Sequence, residues 1–418
     1  MIIADLHVHS KHARATSKNL DLENLEKYAR IKGLHLLGTG DFTHPLWIQE
    51  LKGKLTEQDG ICRTASGFPF LLQTEISLIY SDGGRGRRIH NIVLAPDFGV
   101  VGQITEYLLK HGRVDYDGRP IFNIPCPEFT EELRRISPEI EIIPAHVWTP
   151  WFSMYGSMSG FNSIRECFKD QARHIRAIET GLSSDPSMNW RISELDNIAI
   201  LSFSDLHSHW PWRIGREATI FGVEKLTYKN IINAIHEKKI EKTLEFWPEE
   251  GKYHYDGHRS CNVCLHPADS IKNRNRCPAC GSQLTIGVLH RVEELADRPE
   301  GYTPSHAVPF QNLIPLSELI AGINRQPVSS PKVWKVYNDL IASCGNELAV
   351  LLESKREQLL DVVEEEIADV IIRNRNKKIP FKPGYDGVYG IPIFSEEDIQ
   401  EEEMVKPKQV QKGLGDFP

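Results

Sequence analysis

The stretch MIIADLHVHS (residues 1–10) decides how the chain is read. In a strand, alternate side chains share one face, so Asp5, His7 and His9 project together while Leu6 and Val8 turn into packing. Two imidazoles and a carboxylate on one face point to a metal. A lone HxH fits a half-buried strand with histidines on its polar face equally well, so the reading rests on further ligands downstream.

Residues 1 to about 225 alternate short apolar runs with amphipathic stretches, a pattern that predicts a parallel sheet built from βα units. The strand candidates are IIADLHVH, LHLLGTGD, FLLQTEISLIY, RIHNIVLA, EIIPAHV, IRAIET, AILSFSD and ATIFGV. Between the first two, Leu22, Leu25, Tyr28 and Ala29 recur at helical spacing, with Gly33 as a stop. Polar residues gather at strand ends, where a barrel places its active site: Asp41, Glu75, His90, His146, Glu179, Asp205 and His207.

These strand ends resemble the PHP-family phosphoesterases, beginning with DLHVHS and continuing through QTEIS, RRIHN, IPAHVW and SFSDLHSH. The resemblance implies a distorted (β/α)7 barrel holding two or three divalent ions, zinc, manganese or magnesium. Carried onto this sequence, it has His7, His9 and Asp205 binding the first ion. Glu75 bridges to a second, which His90 and His146 complete, and His207 serves a third. His7, His9, Glu75 and Asp205 form the implied catalytic set. In the second motif Asp41 is kept within GDFTH, but Phe42 stands where the family has histidine, with His12 and His44 nearby. The chemistry suits the donors: carboxylates bridge cations, and two close ions hold the attacking and leaving oxygens of a phosphodiester.

Eight cysteines in a long chain include CNVC, twelve intervening residues, then CPACG. This spacing predicts a zinc ribbon in which Cys261, Cys264, Cys277 and Cys280 hold one structural zinc, and it favours a reducing compartment. No signal-peptide pattern opens the chain and no apolar run reaches membrane length, so the expected location is cytoplasmic. A net charge of −8 argues against coating nucleic acid by bulk electrostatics, leaving room for local patches. Arg85, Arg87 and Arg88 in GGRGRR form one such patch. Aromatic loops follow two of the ligand histidines, VWTPWFSMYG after His146 and SHWPWRIGRE after His207. Trp148, Trp151, Tyr155, Trp210 and Arg213 in them are candidates for holding an extruded base, or else pack the loops over the barrel.

Glu241 to Arg259 reads as a linker, and helical stretches follow the cysteine module; the last, ELAVLLESKREQLLDVVEEEIADVIIRNR, reads as one long amphipathic segment. The expected organisation is a barrel over 1–240, a ribbon over 258–290, a helical segment over 291–380 and a flexible tail over 381–418 whose last dozen residues are disordered. The tail ends in QKGLGDFP, where Gln411, Leu414 and Phe417 match a sliding-clamp motif. A PHP barrel, a ribbon, a helical segment and the phrase KPGYDGVYG together resemble the endonuclease Q family over nearly the whole chain. That resemblance implies cleavage of DNA 5′ to uracil, hypoxanthine, xanthine or an abasic site, with damaged double- or single-stranded DNA as partner. The alternatives are a PHP exonuclease, a small-molecule phosphatase, or an inactive nucleic-acid-binding scaffold.

Overall fold

The computed structural model describes residues 1–395, so Gln411, Leu414 and Phe417 lie outside the described residues. The first helix spans Leu22–Lys32, started by Asp21, whose carboxylate accepts from Asn24 N at 2.9 Å, and ended by Gly33 at φ 99°. Leu22, Leu25 and Ala29 bury its inner stripe.

The sheet is mixed, not parallel throughout. Ile2–Asp5 runs parallel to Leu36–Gly38, which runs parallel to Pro69–Leu71. Its other neighbour, Ala218–Phe221, is antiparallel, and Ile240–Glu245 is antiparallel to that. The reason lies in the connection: between Leu201 and Ala218 no helix carries the chain back across the sheet, so the next strand enters from the end the last one left. Gln73–Asp82 and Arg85–Leu94 likewise form a hairpin, turned by Gly83 and Gly84 at positive φ. His90 therefore sits inside a descending strand and not at a C-terminal strand end.

The stretch read as a linker begins with a strand. Ile240–Glu245 buries Ile240 and Leu244 and pairs on its far side with Phe310–Asn312, tying the later part of the chain to the sheet. The expected long helix is three short ones: Glu347–Leu352, Arg356–Leu360 and Glu365–Arg375. Ser354 ends the first, its N–H and hydroxyl both donating to Ala349 O at 2.9 and 3.1 Å. The breaks turn Leu351, Leu359, Ile367 and Ile371 onto one core, which a straight helix would spread around its axis. A buried ion pair joins this segment to the first helix: Lys32 Nζ lies 2.7 Å from Glu347 Oε1, and Tyr337 donates to Glu347 Oε2 at 2.8 Å. Among the described residues no helix is long and apolar enough to cross a membrane.

Candidate active site

Two stretches about 200 residues apart interlock to start the site. His9 N donates to Leu206 O and Leu206 N to His7 O, both at 3.1 Å, so DLHVH and SDLHSH run side by side beyond the strand ends. Leu6 and Val8 are buried, as the alternation requires. Asp5, however, leaves the group: its carboxylate accepts from Ser204 N and Gly215 N at 3.0 Å and pins the loop that carries Asp205. Burial pushes the Asp5 carboxyl up to about 6, against those hydrogen bonds.

Glu75 stands at the centre. One carboxylate oxygen, Oε1, lies 2.7 Å from His90 Nδ1 and 3.2 Å from His146 Nε2. The other, Oε2, lies 3.5 Å from His7 Nε2 and 3.2 Å from His9 Nε2. The hairpin register explains the first pair, since Glu75 faces Ile92 and His90 faces Ser77, putting the two side chains diagonally on one face. Asp205 Oδ1 approaches the same two imidazoles at 3.5 and 3.2 Å. The donors thus fall into two groups, His7–His9–Glu75–Asp205 and Glu75–His90–His146, sharing one carboxylate.

The remaining polar partners orient these donors. Glu179 accepts from His7 Nδ1 at 2.9 Å and from His146 N at 2.7 Å. Asp41 accepts from His9 Nδ1 at 3.0 Å and is occupied further by Ser10 N and Ser10 Oγ at 2.6 and 2.7 Å. The Nε2 atoms of His7 and His9 and Oδ1 of Asp205 are buried without a hydrogen-bond partner. Imidazoles held by carboxylates through Nδ1, with their Nε2 atoms and the Asp205 carboxylate converging, are what a divalent cation requires. Burial opposes charge on His7, but Glu179, Glu75 and Asp205 outweigh it and hold the imidazole well above its ordinary value. Burial also opposes charge on Glu75, yet His90, Arg119 and His7 keep it well below the carboxylate range. His146, Asp41 and Asp205 all adopt positive φ, the backbone strain that functional sites hold in place.

Asp41 and His207 do not join a three-donor group among the described residues. Asp41 is spent on His9 and Ser10, whereas His207 Nδ1 faces Asp205 O at 2.9 Å and its ring lies 4.7 Å from that of His9. One functional residue carried no sequence signal: Arg119, from an irregular segment, donates to Glu75 Oε2 at 3.0 Å. It lines a cavity of about 670 Å³ above the donors, together with Arg213, Arg216, Trp151 and Phe152.

The other base- and DNA-binding candidates separate by burial. Trp148 and Tyr155 are in the core, stacked at 4.7 Å, with Trp148 Nε1 donating to Asn189 Oδ1 at 2.8 Å. They support the loop and cannot meet a base. Arg87 is also withdrawn, donating to Gly160 O and lying 3.9 Å from the Phe161 ring centre. Arg85 and Arg88 stay exposed on the hairpin, Arg88 over the ring of Phe152. Trp210 is exposed but faces away from the cavity, stacked on Trp212 at 5.3 Å and meeting Trp334 at 5.6 Å on the seam with the helical segment.

The cysteine module gathers His258, Cys261, Cys277 and Cys280, with His258 in the place expected for Cys264. The hairpin register is the cause: Gly257 pairs with Cys264 and His258 with Val263, so Cys264 turns to the opposite face, its thiol 3.9 Å from Pro383 O. Three thiols and an imidazole are a sound tetrahedral zinc set. Hydrogen bonds from Ser282 push the Cys280 thiol down to about 6, which favours the ligating thiolate.

Comparison with known proteins places this arrangement. Residues 315–378 match the family MJ0043 C-terminal domain. The uncharacterized protein YqxK of Bacillus subtilis (strain 168) is 30% identical over 413 residues, covering 93% of this chain and 98% of YqxK. The solved structure of the lesion-specific endonuclease PfuEndoQ from Pyrococcus furiosus superposes with a TM-score of 0.85 at 31% identity, over 96% of both chains. The chain belongs to the endonuclease Q family. A second endonuclease Q structure, complexed with a 27-mer duplex substrate carrying an abasic lesion at the active site, matches at a TM-score of 0.84 and 31% identity. It covers 95% of this chain and 97% of its own. The uncharacterized protein MJ0043 of Methanocaldococcus jannaschii is 31% identical over 299 residues, and the match spans 70% of this chain but only 36% of MJ0043.

Proposed function

We infer that the chain is a metal-dependent DNA repair endonuclease that hydrolyses the phosphodiester 5′ to a damaged nucleotide. One observation carries this reading: the Glu75 carboxylate faces two imidazoles with each oxygen, the disposition of a ligand bridging two ions. His7, His9 and Asp205 complete one position, and His90 and His146 the other. Zinc, manganese or magnesium held by these residues would supply the Lewis acidity that activates water for phosphodiester hydrolysis. Glu179 and Asp41 keep the imidazoles aimed, and the Arg119 and Arg213 guanidiniums offer donors to the phosphate, with Arg216 beside them braced on Ser204 O.

The cavity of about 670 Å³ has room for one displaced nucleotide, consistent with the abasic-site duplex held by the solved endonuclease Q complex. Uracil, hypoxanthine and xanthine are the base lesions proposed alongside abasic sites. The strands of residues 1–240 are proposed to form the distorted (β/α)7 PHP barrel, with 258–290 as a ribbon stabilised by one zinc on His258, Cys261, Cys277 and Cys280. A sliding clamp is the proposed partner of Gln411, Leu414 and Phe417. Deleting residues 411–418 should abolish clamp binding in surface plasmon resonance and leave intrinsic cleavage intact.

The test is incubation of the purified protein with manganese and, separately, a uracil-containing duplex, an undamaged duplex and histidinol phosphate. Nicking of the uracil duplex alone is expected, leaving 3′-hydroxyl and 5′-phosphate ends. Equal degradation of undamaged duplex, or phosphate release from histidinol phosphate alone, would refute the assignment.

A further inference from the structure

The segment KPGYDGVYG (382–390), expected in a flexible tail, instead forms a strap across the cavity wall between the short strands Phe381–Lys382 and Ile391–Pro392. Gly384 N, Gly387 N and Gly390 N donate to Glu249 O, Lys252 O and Glu250 O at 2.7, 2.9 and 3.1 Å. Tyr255 N returns a bond to Gly384 O at 2.9 Å. A Cβ on Gly384 would lie 2.3 Å from Gly251 O, and one on Gly390 1.9 Å from Glu249 O, so the strap lies too close for any other residue. From the other side, Asp386 accepts from Arg259 N at 2.7 Å and from Thr285 Oγ1 at 2.6 Å, nailing the strap to the cysteine module.

This rigid backbone presents Tyr389 with 63% of its surface exposed. Its ring lies 4.5 Å from Lys252 Nζ, and both residues line the cavity that contains His90, His146 and Asp205. Deeper in the same wall, Glu250 and His254 are buried with Oε1 and Nδ1 unpartnered, which marks the polar interior and leaves Tyr389 at the rim. A fixed, exposed aromatic with a cation over one face, at the mouth of a nucleotide-sized cavity, combines a stacking surface on its other face with a phosphate contact.

We propose that Tyr389 and Lys252 clamp the nucleotide next to the damaged one, the phenol ring stacking on its base and the ammonium meeting its phosphate. The proposal rests on the damaged-DNA reading above. Because the ring sits at the rim, it contacts a base that is present whether or not the lesion itself has one. Loss of Tyr389 must therefore weaken uracil-containing and abasic duplexes alike.

The experiment compares wild-type protein with Tyr389→Ala, Tyr389→Phe and Lys252→Gln. Metal content and thermal melting verify the fold. KM and kcat are measured in manganese, and Kd by fluorescence anisotropy in calcium, on both duplexes. Tyr389→Ala should raise KM and Kd about tenfold on both, with kcat within about twofold, and Tyr389→Phe should restore them. Lys252→Gln should flatten the dependence of log Kd on log salt by about one. A loss confined to the uracil duplex, or unchanged KM and Kd in a folded, metal-loaded Tyr389→Ala protein, would overturn the clamp. Failure of wild-type protein to cut either duplex would instead refute the nuclease reading.

Discussion

Replacing Glu179 by glutamine tests whether the metal donors are aimed from behind. The carboxylate accepts from His7 Nδ1 on both oxygens, at 2.9 and 3.1 Å, and from His146 N on Oε2 at 2.7 Å, and is fully buried. Glutamine keeps the size but has one acceptor. With its oxygen at Oε1 the His146 N–H faces an NH2, and with its oxygen at Oε2 the His7 N–H keeps only the longer bond while facing an NH2 at the nearer position. A buried donor left unpaired costs about 1 to 3 kcal/mol. Loss of an outer partner of a metal-bound imidazole costs about 10- to 100-fold in metal affinity, or roughly 1.4 to 2.8 kcal/mol, so the two routes agree. Manganese activation curves on a uracil duplex should shift by that factor, with kcat recovering to within a few-fold at saturating metal. Chelator competition should report the same shift without relying on turnover. A curve superimposable on wild type would show that His7 needs no orienting carboxylate. A variant dead at saturating metal would show Glu179 to be engaged in the reaction itself, and either result refutes the reasoning.

Asp205→Asn should cut activity by more than about a hundredfold, beyond the loss of any orienting partner, while near-ultraviolet circular dichroism stays native. In the cysteine module, His258→Ala and Cys261→Ser should each release one zinc by elemental analysis. Cys264→Ser should release none, and zinc loss from it would restore the four-cysteine set. Trp148→Ala should destabilise by about 3 to 5 kcal/mol in urea unfolding without changing the metal content of the folded protein. The pH dependence of folding should register His290, which a hydrogen bond from its Nδ1 to Asp256 holds above its ordinary value against burial. That contribution is complete below the unfolded value near 6.5 and fades as pH rises through the higher folded one. Melting temperatures of His290→Gln and wild type should therefore converge toward alkaline pH, and a constant gap would count against the pair.

The donors that converge on Glu75 were legible in the sequence because metal chemistry restricts residue type and strand ends restrict position. Which oxygen meets which nitrogen was not. Asp41 and Glu179 are strand-end acids like Glu75, and only their hydrogen bonds to the far nitrogens of His9 and His7 separate orienting groups from ligands. Cys264 was misplaced because CxxC spacing is silent about hairpin register, and a one-residue offset moves a side chain to the other face. Trp148, Tyr155 and Arg87 read as contact residues because loop composition does not reveal that the loop folds onto its own aromatics. Arg119 belongs to no motif. The strand Ile240–Glu245 did leave a trace, in apolar Ile240 and Leu244 spaced among charged neighbours, masked by the Pro- and Glu-rich stretch after it.

The pairing of His7 and His9 with Leu206 also sets when the centre comes into being. His7 and His9 are synthesised long before Asp205, which must follow before their group can be completed. Such a high contact order makes this closure a late event, reached only after the entropy of a very long loop has been overcome. Until then His7 and His9 lack the Asp205 carboxylate that completes their group with Glu75. A nuclease assembled this way gains hydrolytic competence together with the fold that selects its target, and cation capture adds its free energy to that final step of maturation.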